Sequence, residues 1–185
     1  MILKLEARGW KLEARRWECG SSNLQLLTSK LYRMDISQIT DYLFVGARPG
    51  AQHAGQLGAL DVRLIISMCG EQRPPEAFSR PPLSVLWLRT YDTFLTPIPV
   101  RKLMEGVRAA LPVIEDGGRV LAHCHRGRHR SAAMGAAILI AMGHSADEAM
   151  QLLRDRREAA EPQAWYIRRQ IKKFEKHWRM ERQAL

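Results

Sequence analysis

Cysteine is scarce in this chain: its 185 residues hold three, Cys19, Cys69 and Cys124. They are too few and too scattered for a disulfide framework, and no pair has the spacing of a metal site. Free thiols in a reducing cytoplasm are the expectation, with no metal and no cofactor. Long apolar runs are also missing. None approaches the roughly 18 residues that a membrane span requires, and the longest candidate, Ala132 to Met142, suits a buried helix. Charges recur every few residues near the start, which does not fit a secretory signal. Acidic residues are the third shortage, with 19 Asp and Glu against 29 Lys and Arg and a formal net charge of +10. The excess gathers at the two ends. Basic ends attract polyanions and allow peripheral contact with membrane headgroups, but no nucleic-acid motif accompanies them, so nucleic acid is not an expected partner.

What is present is enough for one compact domain, since 46% of the residues are hydrophobic. A monomer is the simplest expectation. Residues 1–33 stand apart, because Lys4 to Trp10 is nearly repeated as Lys11 to Trp17. On a helix Lys4, Arg8, Lys11 and Arg15 form a basic stripe, so this segment reads as a basic N-terminal extension, helical or poorly ordered. The domain proper is expected over 34–185. Within it strands are predicted near 42–45, 62–68, 83–88 and 118–122. Helices are predicted over 51–60, 99–114, 132–142, 145–157 and 162–182. Ser145 followed by Asp147 and Glu148 has the form of an N-cap with acids in the first turn. Alternating strands and helices predict an α/β fold with a central, mostly parallel sheet flanked by helices.

The most informative segment is His123-Cys124-His125-Arg126-Gly127-Arg128-His129-Arg130-Ser131. It joins a predicted strand to a predicted helix, so unpaired N–H groups and the positive end of the helix dipole face the loop and favour an anion there. Gly127 allows a tight turn with converging amides. Arg130 can return over the loop to grip two phosphate oxygens at once. Cys124 is the candidate nucleophile, and the thiolate is the attacking form. Ser131 is placed to hydrogen-bond the sulfur and help it leave, and His123 to orient the loop through hydrogen bonds. His125, Arg126, Arg128 and His129 add cationic groups around the same phosphate site, which favours acidic or multiply phosphorylated substrates.

His-Cys-x5-Arg-Ser with glycine at the third x resembles the signature of the cysteine-dependent protein tyrosine phosphatase superfamily, dual-specificity branch. The likeness runs from about Asp35 to about Lys176, with Ile39 to Gly46 resembling the opening strand of such domains. It implies hydrolysis of phosphate monoesters on protein tyrosine and serine or threonine through a phosphocysteine, without a metal. The family places a general acid on an upstream loop. Here Asp92 follows a predicted strand and lies 32 residues before Cys124, so Asp92 is the expected acid and base, with Asp116 as rival. The loop also resembles that of phosphatases cleaving inositol pyrophosphates, although Ser131-Ala132 departs from their usual Thr-Gly. Polyanionic small molecules, inositol pyrophosphates or phosphoinositides, are therefore the alternative substrates, and a non-catalytic phosphate-binding module is a third reading. In the phosphoinositide-phosphatase branch a cysteine placed like Cys69 can pair with the oxidised nucleophile, which makes Cys69 a candidate redox partner of Cys124.

Overall fold

The computed structural model describes residues 34–183, so the repeat and basic stripe assigned to residues 1–33 lie outside the described residues. Five strands form one sheet: β1 (Ile36–Gln38), β2 (Leu43–Ala47), β3 (Val62–Cys69), β4 (Ser84–Thr90) and β5 (Arg119–Cys124), in the order β1-β2-β5-β3-β4. β2, β5, β3 and β4 run parallel, and β1 adds antiparallel to the β2 edge. Parallel neighbours require crossovers. The β2–β3 crossover contains α1 (Ala54–Ala59) and the β4–β5 crossover α2 (Val100–Glu115), and after β5 come α3 (Arg130–Ala141), α4 (Ala146–Arg156) and α5 (Trp165–Gln183).

Strand periodicity divides the core between the two faces. Leu64, Ile66 and Met68 of β3, with Val120, Ala122 and Cys124 of β5, join the larger cluster beneath α2 to α5. Their alternates, Ile65 and Leu121, join Phe44, Leu57 and Phe78 in the smaller cluster on the α1 side. The middle strand β5 is covered on both faces, as a central parallel strand must be. Behind it α3 is buried from Arg130 to Ile140, and its small residues let it lie close against the sheet. A helix apolar on all sides is stable only when enclosed in this way.

The predicted cap of α4 forms: the Glu148 amide donates to Ser145 Oγ at 3.3 Å while the Ser145 amide donates to Glu148 Oε2 at 2.7 Å. Three differences from the predicted elements bear on function. β1 is only three residues long and carries too little periodicity to be read, but it brings Asp35 against β2, where the Ala47 amide donates to Asp35 O at 2.8 Å. β4 continues past Leu88 to Thr90 through Arg89, whose φ of +50 lies in the left-handed region. The Arg89 guanidinium sits 4.5 Å over the Trp87 ring, opposite a register shift between Ser67 and Cys69. Finally α5 starts at Trp165 and not near Pro162, because residues 157–164 spend their polar groups on the nucleophile loop.

Candidate active site

β5 ends on Cys124 and α3 begins at Arg130, so the intervening loop lies at the carboxyl end of the sheet, where open α/β sheets bind ligands. Cys124 is buried, and its Sγ lies 3.4 Å from Ser131 Oγ. Gly127 takes φ +69, and a Cβ there would fall 2.5 Å from Gly46 C and 2.6 Å from Ala47 N. Only glycine satisfies both the backbone conformation and this approach to β2.

Arg130 is almost fully buried, and its Nη1 donates to Thr90 O at 2.8 Å, Met68 O at 3.3 Å and Glu71 Oε2 at 2.9 Å. The strained turn at Arg89 delivers the Thr90 carbonyl, which also accepts from the Gly70 amide at 2.8 Å. These anchors hold one edge of the guanidinium. Buried Nε has no hydrogen-bond partner among the described residues and Nη2 forms none with them, so the donors of the Nε–Nη2 edge are uncommitted and have the geometry a bidentate oxyanion requires. Burial opposes ionisation of Glu71, but hydrogen bonding and charge from Arg130 outweigh it and hold its carboxyl below the usual range.

Asp92 reaches the same cavity. Its Oδ2 lies 3.9 Å from Arg130 Nε, and both its oxygens lie 3.2 Å from His129 Nδ1. Tyr166 donates its hydroxyl to Asp92 Oδ1 at 3.3 Å. Burial, reinforced by the Asp92 charge, pushes the Tyr166 pKa up to about 12, so the phenol stays a donor. His129 Nε2 meets Glu161 Oε2 at 2.9 Å, and Arg128 also pairs with Glu161. Hydrogen bonds from Arg128, then His129, lower the Glu161 pKa, so that carboxylate is ionised at neutral pH. The cavity of about 240 Å³ is lined by Glu71, Asp92, His125, Arg126, Arg128, His129 and Arg130. Asp116 instead precedes β5 at the opposite end of the sheet, paired with Arg63 at 2.7 Å.

Two expectations change in detail. The loop-orienting hydrogen bonds expected of His123 do not form with the described residues by strict geometry, although the Cys124 backbone lies near the ring. Burial is the main cause that pushes its pKa down to about 4, so the ring is a neutral packing element at physiological pH. Arg128 and His129 line the cavity but are tethered to Glu161 and Asp92, leaving His125 and Arg126 as the loop's basic side chains without a carboxylate partner among the described residues.

Sequence reasoning missed the outer supports. Arg157, at the carboxyl end of α4, donates from Nε to Gly127 O at 2.9 Å and from Nη1 and Nη2 to Asp35 at 2.9 and 3.0 Å. The Glu161 amide donates to Arg128 O at 3.0 Å. Glu71, Glu161 and Tyr166 were equally hidden, because each lies more than 30 residues from its partner in the loop. The one available signal was the break in helical pattern around Pro162. Cys69 and Cys124 are both free, buried and part of one core cluster at the carboxyl ends of adjacent strands. Burial pushes the Cys69 pKa up to about 11.

A cysteine at a strand end, an amide-rich loop, a half-anchored buried arginine and a facing carboxylate on this sheet define the class of cysteine-dependent phosphatases. The family model "Dual specificity phosphatase, catalytic domain" matches residues 43–177, and the chain belongs to that family. It is a phosphatase that hydrolyses phosphate monoesters. "Dual specificity phosphatase 28" of Mus musculus is 28% identical over 153 residues, covering 80% of this chain and 88% of that protein. The crystal structure of human DUSP28 superposes with a TM-score of 0.70 at 26% identity, covering 78% of this chain and 99% of that chain. PTPMT1 in complex with PI(5)P gives a TM-score of 0.70 at 26% identity, covering 79% of this chain and 97% of that chain. Among the described residues no helix is long and apolar enough to cross a membrane.

Proposed function

We propose that the physiological substrates are phosphotyrosyl and phosphoseryl or phosphothreonyl proteins, hydrolysed in two steps through Cys124. The Cys124 thiolate attacks phosphorus, an S–P bond forms, and the P–O bond to the substrate breaks as Asp92 gives its proton to the leaving oxygen. Water then attacks the phosphocysteine, Asp92 takes its proton, and the S–P bond breaks with Ser131 hydrogen-bonding the departing sulfur. Arg130 and the loop amides of residues 125–130 carry the transferring phosphoryl charge.

Glu161 supports the acid step through His129. Glu161 meets Nε2 and Asp92 meets Nδ1 at 3.2 Å, so the ring is fixed from both sides. His129 and the Tyr166 hydroxyl thus hold the Asp92 carboxyl over the leaving-group side of the cavity.

The observation that carries the protein reading is the carboxylate wall. Glu71, Asp92 and Glu161 surround the loop, and two of its four flanking basic residues, Arg128 and His129, are already engaged by them. A single phosphoryl group fits the open Arg130 edge, whereas a polyphosphate must face these carboxylates. The second reading, a phosphoinositide or inositol pyrophosphate phosphatase, keeps His125, Arg126 and the likeness to PTPMT1 in its favour. Phosphate release from phosphotyrosyl peptide, phosphothreonyl peptide, phosphoinositide and inositol pyrophosphate decides, and preference for either inositol compound hands the site to the second reading. The dependence on a reduced thiol supports a cytoplasmic enzyme; basic residues toward the chain ends support peripheral contact with acidic surfaces.

Asp92→Asn is expected to lower kcat on alkyl phosphates by about 100-fold or more, with a smaller loss on an aryl phosphate whose phenolate leaves unaided. Asp116→Asn, at the far end of β5, should retain activity. Steady-state kinetics on the two substrate types reads this, and a selective loss in Asp116→Asn reverses the assignment.

Cys69 is proposed as the trap for oxidised Cys124. Hydrogen peroxide oxidises the Cys124 thiolate to sulfenic acid and is reduced to water. Attack by the Cys69 thiolate then forms the S–S bond and expels hydroxide, which takes a proton to leave as water. With the Cys69 pKa near 11 the attacking thiolate is a minor form at pH 7, so disulfide formation should quicken as pH rises. Peptide mapping after peroxide should find a thiol-reversible Cys69–Cys124 link; overoxidised Cys124 alone ends the proposal.

A further inference from the structure

Six large apolar side chains stand exposed among the described residues; three of them lie close together on the acid loop and a fourth at the first turn of α5. These are Tyr91, Phe94, Leu95 and Trp165, exposed by 57%, 60%, 76% and 67%. Apolar surface left in water beside a catalytic site marks a contact surface for something absent from the free protein. The Phe94 and Trp165 rings lie 6.5 Å apart, and Trp165 meets Tyr166 edge-on at 5.8 Å. Between the acid loop and α5 opens a groove of about 490 Å³, with Phe94 and Trp165 at its sides, Pro97 and Ile98 from the acid-loop side, and Arg169 and Lys173 along α5.

The charges of this groove are also unspent. On the same helix Lys172 pairs with Asp147 and Arg179 pairs with Glu175. Arg169 and Lys173 have no carboxylate partner among the described residues. The groove is tied to the reaction through one side chain, since Tyr166 lines it and also donates to Asp92 at 3.3 Å.

We propose that this groove receives the stretch of a phosphoprotein flanking the phosphorylated residue, seating a bulky apolar side chain against the joined Phe94 and Trp165 rings and an acidic one on Arg169 and Lys173. The proposal rests on the protein-phosphatase reading and names its substrate class. A polypeptide suits the site better than a lipid surface because the apolar and cationic groups face one another across a concave space. A planar bilayer needs them projecting from a convex one. The continuous aromatic surface of Phe94 and Trp165 takes one side chain, and the cations beside it select an acidic neighbour.

The test is kcat/KM on phosphopeptides in which a Leu-Glu pair is moved position by position through an alanine background, each value divided by that for a small aryl phosphate. The intact chain should favour one placement by about tenfold, roughly 1.4 kcal/mol. Trp165→Ala should shrink that ratio to about twofold, and an Arg169→Glu, Lys173→Glu double variant should turn the preference toward Leu-Lys. Both changes are at exposed or partly exposed side chains, so the aryl-phosphate rate in the same preparation reports an intact fold. Equal rates for all placements with normal aryl turnover would overturn the groove while leaving the phosphatase reading in place. Aryl turnover with no hydrolysis of any phosphopeptide overturns both. Activation of the wild type by vesicles of phosphatidylcholine and phosphatidylserine, lost in Trp165→Ala and without a peptide preference, would make the rim a membrane surface and the proposal wrong.

Discussion

Cys124→Ser is expected to fold normally and to lose at least about 10⁴-fold in kcat, or more than about 5 kcal/mol of transition-state stabilisation. The hydroxyl fits where the buried thiol was, 3.4 Å from Ser131 Oγ, so the loop and its amides remain in place. A serine hydroxyl is not ionised near neutral pH, and no residue beside it can serve as its base. His123 is turned into the protein with both nitrogens unpartnered. Asp92 is required on the other side of the phosphoryl group to protonate the leaving oxygen. Inorganic phosphate should still raise the melting temperature of the variant, because the Arg130 edge and the loop amides are untouched. Single-turnover phosphate release and a thermal shift with phosphate read the two outcomes, and residual turnover near the wild-type rate removes Cys124 as nucleophile.

Arg157→Ala is expected to cost about 3 kcal/mol of stability, with a further loss of roughly 100-fold in kcat in the fraction that remains folded. The Arg157 side chain is 3% exposed and joins three places distant in sequence: α4, the Gly127 carbonyl of the nucleophile loop, and Asp35 before β1. Its removal leaves the Gly127 carbonyl without its donor and opens a void beneath the loop. Asp35 is 64% exposed and can turn back to water, which sets the cost near the low end for a broken buried pair. The kinetic loss follows from the loop itself, since Gly127 holds its left-handed conformation against the β2 backbone only while its carbonyl is fixed. Urea unfolding followed at equilibrium and kcat at saturating aryl phosphate measure the two effects. Arg157→Lys should restore little, because one ammonium cannot span Gly127 and both oxygens of Asp35.

The cavity illustrates how far local sequence carries. Cys124, Gly127, Arg130 and Ser131 lie within eight residues, and a strand-to-helix turn has few ways to arrange them. Their meeting at one site was therefore readable before any tertiary contact was known. Asp92 was reachable because it follows a strand that ends on the same side of the sheet. The roles of Arg128 and His129 were not reachable in the same way. Read alone they are two more cations beside a phosphate, and the carboxylates that claim them arrive from the α4–α5 connection and the acid loop. Glu71 is similar: after β3 it is an ordinary loop acid, and its use depends on the Arg130 guanidinium coming to lie beneath it.

Sequence by itself determined the alternation of strands and helices, the parallel sheet and the nucleophile loop, because each follows from periodicity or from neighbours a few residues apart. Tertiary structure alone decided which edge of Arg130 stays open, how His129 and Tyr166 hold Asp92, and that Arg157 supports Gly127. It also placed an apolar, cationic groove beside the acid. Those features are meetings between segments 30 to more than 100 residues apart, and only the packing of the whole sheet with its helices specifies such distances.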